Sequence, residues 1–269
     1  MSTQNYDLPT EFMIAEKDGA VGRMIFNNPE RHNAVKLEMW EAIATILDIF
    51  EADDDIKVIV LEGAGGKSFI SGADISEFET VRATPEAYKN YENVADNATD
   101  RLSTCPKPTI ALIEGYCIGG GAGIAVACDM RFASPDSKFG VPAAKLGVGY
   151  RAGGIAKVLD LVGPSFTKEI FFTARQFTAA EALHIGLINH MIERDGLRAA
   201  VAECCATMAA NAPLTIKAVK KILKELTRKD AGPNWTLCED VVEECFASED
   251  YIEGRRAFME KRKAVFKGK

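Results

Sequence analysis

The spacing of apolar residues predicts strands and helices in alternation over the first half of the chain, and helices alone after about residue 153. Four short apolar runs are typical of buried strands: 21–26, 57–62, 109–114 and 130–133. Apolar residues at intervals of three and four predict helices between these strands, over residues 37–50 and 85–102. A glycine triplet at 119–121 opens a further helix that runs to Cys128. The pattern therefore indicates an α/β core.

The second half of the chain carries six segments with helical spacing: 168–172, 179–184, 197–211, 214–228, 235–247 and 250–263. Gly163-Pro164, Gly186 and Gly232-Pro233 separate several of them, as glycine and proline commonly do at helix ends. Strands with helices, followed by helices alone, favour two structural parts. We expect an α/β core over residues 1–200 and a C-terminal helical module over residues 201–269.

Composition and charge exclude several classes of function. The chain has 269 residues and a formal net charge of −7, so it lacks the basic excess that nucleic-acid binding requires. No apolar run approaches the roughly 20 residues of a membrane helix. Residues 1–12 have neither the pattern of a signal peptide nor that of a transit peptide. We therefore expect a soluble, cytoplasmic protein with no membrane or nucleic-acid partner.

Cysteine and histidine positions give no sign of a disulfide or metal site. The seven cysteines are odd in number and include no C-x-x-C pair, which favours reduced, buried thiols. The three histidines are scattered and lack zinc-ligand spacing. Neither glycine-rich stretch is a nucleotide motif, because Leu61 stands where the phosphate loop at 63–68 needs glycine and Ile124 breaks the dinucleotide pattern after Gly121.

Three small-residue segments carry candidate chemistry. Residues 68–75 (SFISGADI) form a loop whose small side chains let a ligand approach the backbone, and Asp74 with Glu77 has capping-box spacing. Residues 114–129 place a glycine triplet at a helix start, where free N–H groups and the helix dipole favour negative charge. Residues 139–150 (FGVPAAKLGVGY) are the third segment. Tight turns and close packing explain each alone, but their joint order is more specific.

These segments resemble the crotonase (enoyl-CoA hydratase/isomerase) superfamily. The resemblance is carried by SFISGADISEF, IEGYCIGGGAGIAVACDMRFAS, FGVPAAKLGVG, TARQFTAAEALHIGLINHMI and the tail SEDYIEGRRAFMEKRKAVF, and it covers residues 13–266. It implies a crotonase (ClpP/crotonase-like) α/β fold, a spiral of ββα turns with a helical C-terminal trimerisation module. It also implies a homotrimer or a dimer of trimers.

The resemblance implies an oxyanion hole for an acyl-CoA thioester, formed by the backbone N–H groups of Ala73 and Gly120. Coenzyme A enters as part of the substrate, so no separate cofactor is expected. The segment NNPERHNAV is similar to the family's CoA-binding segment, which makes Arg31 a candidate partner of CoA phosphates or, alternatively, a solvated surface charge. The other implied substrate-binding residues are Ala34, Ser71, Gly72, Asp74, Ile75, Gly119, Pro142 and Ala143, with Phe258 and Lys261 at the nucleotide end, often from a neighbouring subunit.

The sequence departs from the family at both proton-transfer positions. Hydratases of this family use two glutamates, and Gly123 and Ala143 stand in their places. A placed acid or base contributes roughly 10²–10⁴ in rate, so two-glutamate hydration is disfavoured. The acids Asp74 and Asp129 near these positions are interpreted as helix caps.

Tyr150 is the candidate replacement, because it matches a tyrosine of methylmalonyl-CoA decarboxylases, which share the fold. Tyr150 would hold a substrate carboxylate with help from Arg151; the alternative is a packed, hydrogen-bonded aromatic. Against the decarboxylase, Ala73 replaces its histidine and Pro142 its threonine. Three hypotheses stay open: a hydratase/isomerase-family enzyme with altered chemistry, a malonyl-type decarboxylase, and a non-catalytic acyl-CoA-binding protein.

Overall fold

A computed structural model describes residues 3–78, 83–228 and 232–269. The strands are β1 Gln4–Tyr6, β2 Met13–Asp18, β3 Val21–Phe26, β4 Val58–Gly63, β5 Ser68–Ile70, β6 Thr109–Ile113, β7 Tyr116–Ile118, β8 Met130–Ala133, β9 Lys138–Gly140, β10 Phe177–Thr178 and β11 His190–Met191. They form two sheets, of orders β1-β2-β3-β4-β6-β8-β11 and β10-β9-β7-β5.

The helices lie between and after these strands. They are α1 Leu37–Ala52, α2 Pro85–Thr104, α3 Gly120–Ala127, α4 Ala143–Leu146, α5 Ala152–Thr173, α6 Ala179–His184, α7 Arg194–Ala209, α8 Pro213–Leu226, α9 Trp235–Phe246 and α10 Glu249–Met259, with 3₁₀ turns at Pro29–Arg31 and Ile75–Glu77. The predicted α/β fold is confirmed, including the helix that opens at the glycine triplet. The division at residue 200 falls inside α7 and stays a prediction.

The large sheet is buried on both faces. From β3 to β11 its strands run parallel, whereas β1, β2 and β3 pair antiparallel. Alternate residues of β4 point to opposite sides: Ile59 and Leu61 join the main core with α1, while Val58 and Val60 pack against Leu197 of α7 and its neighbours. A strand buried on both faces reads as a continuous apolar run, which is why β4, β6 and β8 were predictable.

The predicted helix at 168–172 lies in the second part of α5, after a break at Gly163 (φ 71°, ψ 173°) and Pro164 that separates two helical segments, as predicted. Proline is tolerated in the first turn of the second segment, where its missing N–H would have no helical acceptor. One prediction of a helix cap is wrong. Asp129 does not cap a helix. Its carboxylate accepts hydrogen bonds from the Thr109 backbone N–H at 2.7 Å and from Lys220 Nζ at 2.6 Å, so it ties β6 to α8.

Helices α8, α9 and α10 enclose an apolar groove of about 860 Å³. Phe246 and Phe258 lie along it and are largely exposed.

Within the described ranges, no single helix is long and apolar enough to cross a membrane. Helices α7 and α8 together have the required length and apolar composition, but they are bent by 102° relative to each other. The described residues also contain no cluster of three potential metal ligands. All seven cysteines are free, and five of them are buried.

Arg131 holds the end of α3 in place. It is buried, and its guanidinium donates to the carbonyl oxygens of Cys128 and Leu187 at 2.8 Å each and of Ala125 at 3.3 Å. Burial lowers the pKa of Arg131, because desolvation disfavours its charged form. The carbonyls at the helix end supply the compensating partial negative charge. Arg131 therefore positions α3 from its C-terminal end.

We expect Arg131→Lys to lower the free energy of unfolding by about 2–4 kcal/mol, because a lysine cannot reach all of these carbonyls and leaves them unpaired in the interior. Urea unfolding at fixed protein concentration measures the change. Arg101→Lys is the matched control, because Arg101 forms an ion pair with Asp48 at the surface, and it should cost less than about 1 kcal/mol. Equal losses in the two variants would contradict this role of Arg131.

Candidate active site

The backbone N–H of Ala73 points away from its neighbouring strand. Ala73 forms a parallel bridge with Val35, in which Val35 N–H donates to Gly72 O at 2.8 Å and Asp74 N–H donates to Val35 O at 2.9 Å. Successive peptide groups of an extended segment point in opposite directions. The Ala73 N–H therefore faces the other side, where the described chain provides no acceptor for it.

The second free donor lies at the start of α3. Gly120 is the first helical residue, and its N–H has no intrahelical acceptor, as at every helix N-terminus. A methyl group added to Gly120 would lie 3.8 Å from the Ala73 nitrogen, so the two segments are in close contact. The α3 dipole adds partial positive charge at the same point. Two N–H groups without acceptors in the described chain thus lie close together, and such a pair can bind a partly negative oxygen.

Glycines in unusual backbone conformations orient both donors. Gly72 precedes Ala73 with φ 128°, and Gly119 precedes Gly120 with φ 56° and ψ −115°. L-residues rarely adopt such φ values. A methyl group on Gly119 would lie 3.7 Å from Gly72 Cα and 4.0 Å from Pro142 Cδ, so the two turns pack against each other. The two peptide groups are held in register by this contact.

Two buried aromatic residues pack behind the Gly120 N–H donor. Trp40 of α1 lies against Gly120, where an added methyl group would be 3.1 Å from Trp40 Cζ2. The Trp40 indole N–H donates to the Tyr91 hydroxyl of α2 at 2.9 Å. Sequence reasoning placed both residues on helical faces and missed their place in the site. Their intervals of three and four predict burial but not the partner.

A cavity of about 140 Å³ opens in front of the two donors. Its lining combines the hole, one face of α2 and the segment that leads into α5: Trp40, Ala73, Tyr91, Glu92, Ala95, Asp96, Thr99, Gly120, Gly123, Val148, Gly149, Tyr150, Arg151, Gly154 and Lys157. The three predicted catalytic residues Ala73, Gly120 and Tyr150 are brought together here.

The predicted CoA-binding segment lies beside the loop of residues 68–75, called here the first hole loop because it carries the Ala73 N–H. Asn33 is buried, and its side chain donates to Ala64 O at 3.0 Å and Ser68 O at 2.8 Å while accepting from Asn28 N–H at 3.0 Å. Ser71 N–H donates to His32 O at 3.1 Å. These bonds hold the loop that presents Arg31 and Ala34 next to the loop of Ser71. Arg31 is exposed.

The acids of the first hole loop have structural partners. Asp74 Oδ1 accepts from Ser76 N–H at 3.0 Å and from Ser76 Oγ at 2.6 Å, so Asp74 caps the 3₁₀ turn. The Glu77 carboxylate accepts from Leu37 N–H at 3.1 Å, at the start of α1, and the Asp74 N–H donates to Val35 O at 2.9 Å. Ile75 projects from this turn with 60% of its surface exposed.

The Tyr150 hydroxyl lies next to Gly123, a residue of α3 that has no side chain. A methyl group on Gly123 would lie 3.6 Å from the Tyr150 hydroxyl oxygen. Gly154 makes room for the ring, since a methyl group there would be 2.6 Å from Tyr150 Cε1. Desolvation, and then the charges of Glu92 and Asp96, raise the pKa of Tyr150 to about 12. Tyr150 is therefore a neutral hydrogen-bond donor at physiological pH.

Arg151 is engaged by α2. Its Nη1 lies 2.6 Å from Asp96 Oδ2 and its Nε lies 3.8 Å from Glu92 Oε2. These ion pairs raise the pKa of Arg151, first through the hydrogen bond to Asp96. The cavity wall around Tyr150 thus carries two carboxylates, and the nearest guanidinium already binds both.

Comparison with known proteins identifies the family to which the chain belongs. A family model described as enoyl-CoA hydratase/isomerase matches residues 16–269. The chain belongs to the enoyl-CoA hydratase/isomerase family. The resemblance to the crotonase superfamily is thereby confirmed.

Relatives and solved structures of this family cover nearly all of the chain. The short-chain-enoyl-CoA hydratase of Clostridium acetobutylicum is 34% identical over 93% of this chain and 95% of its own length. The crotonyl-CoA hydratase of Syntrophomonas wolfei is 31% identical over 95% of this chain and 98% of its own length. A crystal structure of an enoyl-CoA hydratase/carnithine racemase from Magnetospirillum magneticum superposes with a TM-score of 0.92 at 36% identity, covering 97% of each chain.

None of the eleven residues that the family resemblance implied for substrate binding is among those that line the cavity. Pro142 contacts Gly119, and Ala143 begins α4 half-buried against the core. Phe258 and Lys261 lie at the end of α10; Phe258 is 83% exposed and borders the C-terminal groove. Their contact with a neighbouring subunit's ligand stays a prediction.

We expect Gly119→Ala to weaken acetoacetyl-CoA binding at least about 10-fold, because an alanine rotates the peptide that carries the Gly120 N–H and loses a hydrogen bond to a charged oxygen. Titration calorimetry measures the dissociation constant. Gly163→Ala is the control, because Gly163 also has positive φ (71°) and nothing within 4 Å of the added methyl group. It should strain the backbone by about 1–2 kcal/mol without changing affinity. Equal affinity of both variants would refute the orienting role of Gly119.

Proposed function

We propose that the protein is an acyl-CoA-processing enzyme that stabilises a thioester enolate. The observation that supports this most is the convergence of the Ala73 and Gly120 N–H groups, which lack acceptors in the described chain. Negative charge develops on the thioester oxygen when an enolate forms, and two fixed donors lower the free energy of that state. Removing one such donor typically costs about 10²–10³ in rate. Coenzyme A belongs to the substrate, and the proposal requires no further cofactor.

We propose that two-glutamate hydration is not the main reaction. Hydration of an enoyl thioester requires a group that activates water and a group that delivers a proton. By the family resemblance those groups would stand at Gly123, on the cavity wall, and at Ala143, at the start of α4. Neither side chain moves a proton. Proton transfer within the acyl chain, as in double-bond isomerisation, needs only one such group and is the reaction that this site supports best.

The decarboxylase alternative finds less support. It needs a positive or neutral pocket for a substrate carboxylate near Tyr150. The charges of Glu92 and Asp96 raise the pKa of Tyr150, and they would repel that carboxylate. Arg151, the expected helper, is paired with both. The non-catalytic alternative is disfavoured because binding alone does not require two N–H donors aimed at one oxygen.

The C-terminal groove supports a trimer or a dimer of trimers. It is apolar, and the α8–α10 side chains around it include the largely exposed Val219, Phe246 and Phe258. Large exposed apolar surfaces usually mark interfaces. In such an assembly Phe258 and Lys261 would reach the CoA of a neighbouring subunit.

We expect the protein to convert but-3-enoyl-CoA to crotonyl-CoA and to hydrate crotonyl-CoA only slowly. The missing acid–base pair should lower the hydration rate by about 10²–10⁴ for each group relative to a two-glutamate enzyme. Parallel assays of isomerisation, hydration and methylmalonyl-CoA decarboxylation measure this preference at equal enzyme concentration. Rapid hydration would refute the proposed reaction, and CoA-ester binding without any turnover would refute an enzymatic function.

Restoring the two carboxylates should create hydration. We expect Gly123→Glu with Ala143→Glu to raise the crotonyl-CoA hydration rate by about 10² or more, since each placed acid or base contributes at least that factor. A Cβ at Gly123 would make an ordinary contact of 3.6 Å with the Tyr150 hydroxyl oxygen, and Ala143 begins a helix, where an acidic side chain is favoured.

The matched control for this double variant is Gly123→Gln with Ala143→Gln, which has the same shape and cannot move a proton. It should hydrate no faster than the unmodified protein. If the two double variants hydrate crotonyl-CoA equally, then the absent carboxylates are not what limits hydration.

A further inference from the structure

One face of α2 forms the cavity wall opposite the two N–H donors. The residues of α2 that line the cavity are Tyr91, Glu92, Ala95, Asp96 and Thr99. Their intervals of three and four residues place them on a single side of the helix. Within the described parts of the chain, Glu92 and Asp96 are the carboxylates in this wall. The cavity therefore contains acidic groups, although neither hole loop supplies one to it.

The two carboxylates differ in how they are held. Asp96 is 42% exposed and forms a close ion pair with Arg151 at 2.6 Å, so its charge is committed to the surface. Glu92 is only 17% exposed, and Arg151 Nε lies 3.8 Å from its Oε2. Glu92 is thus the more buried of the two carboxylates that line the cavity.

Glu92 and Tyr150 both line the cavity and interact electrostatically. After desolvation, the charge of Glu92 is the largest cause of the raised pKa of the Tyr150 hydroxyl. That hydroxyl lies over Gly123, on the first turn of the helix that supplies the Gly120 donor. A carboxylate, a neutral phenol and two N–H donors therefore surround one small space. These are a base, a hydrogen-bond donor and an oxyanion site.

We propose that Glu92 is the catalytic base and acid of the site, a role that rests on the proposed enolate-stabilising function. The Glu92 carboxylate removes a proton from C2 of a 3-enoyl-CoA. The C2–H electron pair moves into the conjugated system and places the negative charge on the thioester oxygen, between the Ala73 and Gly120 N–H groups. Protonated Glu92 then returns the proton to C4, giving the 2-enoyl-CoA with no net change in protons or electrons.

The test compares Glu92→Gln with the unmodified protein and with Asp100→Asn. Asp100 lies two turns further along α2, is outside the cavity and pairs with Lys157 at 2.8 Å, so it controls for loss of one charge from the helix. The measurements are but-3-enoyl-CoA isomerisation, exchange of the C2 protons of butyryl-CoA in D₂O, and acetoacetyl-CoA affinity.

We expect Glu92→Gln to lower both isomerisation and exchange by about 10²–10⁴, the usual contribution of a placed acid–base group, with affinity unchanged within about 3-fold. Asp100→Asn should change neither rate by more than about 3-fold, as expected of an exposed ion pair. Glu92→Asp, which withdraws the carboxylate by one methylene group, should lose at least about 10-fold and serves if the glutamine variant does not fold.

Two results would overturn the proposal, and they are distinguishable. If the unmodified protein isomerises or exchanges and Glu92→Gln does so at the rate of Asp100→Asn, then Glu92 is not the proton carrier, while the enolate-stabilising function stands. If the unmodified protein binds acetoacetyl-CoA but shows neither isomerisation nor exchange, the proposed function fails, and the role of Glu92 fails with it.

Discussion

The close approach of two glycine turns is the constraint on which the site depends. Gly72 and Gly119 have positive φ angles and pack on each other, which brings the residues that follow them, Ala73 and Gly120, close together. Elements distant in sequence secure this contact: the Val35 bridge holds the first turn, and Trp40 lies under the second. A side chain on either glycine would strain the backbone that sets the donor directions.

The larger fold serves this contact from both sides. The parallel strands β4 and β6 end near the segments that carry the two turns, as ligand sites in open parallel sheets generally do. Arg131 binds the carbonyls at the far end of α3 and so positions that helix without entering the cavity. Two separate networks therefore position the site: the Val35 bridge holds the first turn, and the Arg131 guanidinium binds the C-terminal end of α3.

Much of this arrangement was predictable, because local sequence patterns indicate it. Continuous apolar runs mark the doubly buried strands, and the glycine triplet marks the start of α3. Strands β5, β7, β9 and β10 contain only two or three residues each, which is too short for any period to show. The small sheet was therefore missed. The role of Trp40 was missed for a different reason, because helical periodicity predicts which residues are buried and never what they lie against.

The charged residues of the cavity show why sequence spacing alone does not identify every residue of an active site. Glu92 belongs to a polar helix that contains no recognisable motif. No sequence pattern around Glu92 predicts that it lies near Gly120. The fold places it across the cavity from the hole, beside a tyrosine whose proton it helps to retain. A family that exchanges proton carriers between elements while keeping one oxyanion hole can change its reaction without changing its backbone. The hole determines which intermediate is stabilised, and the helix that faces it determines which proton moves.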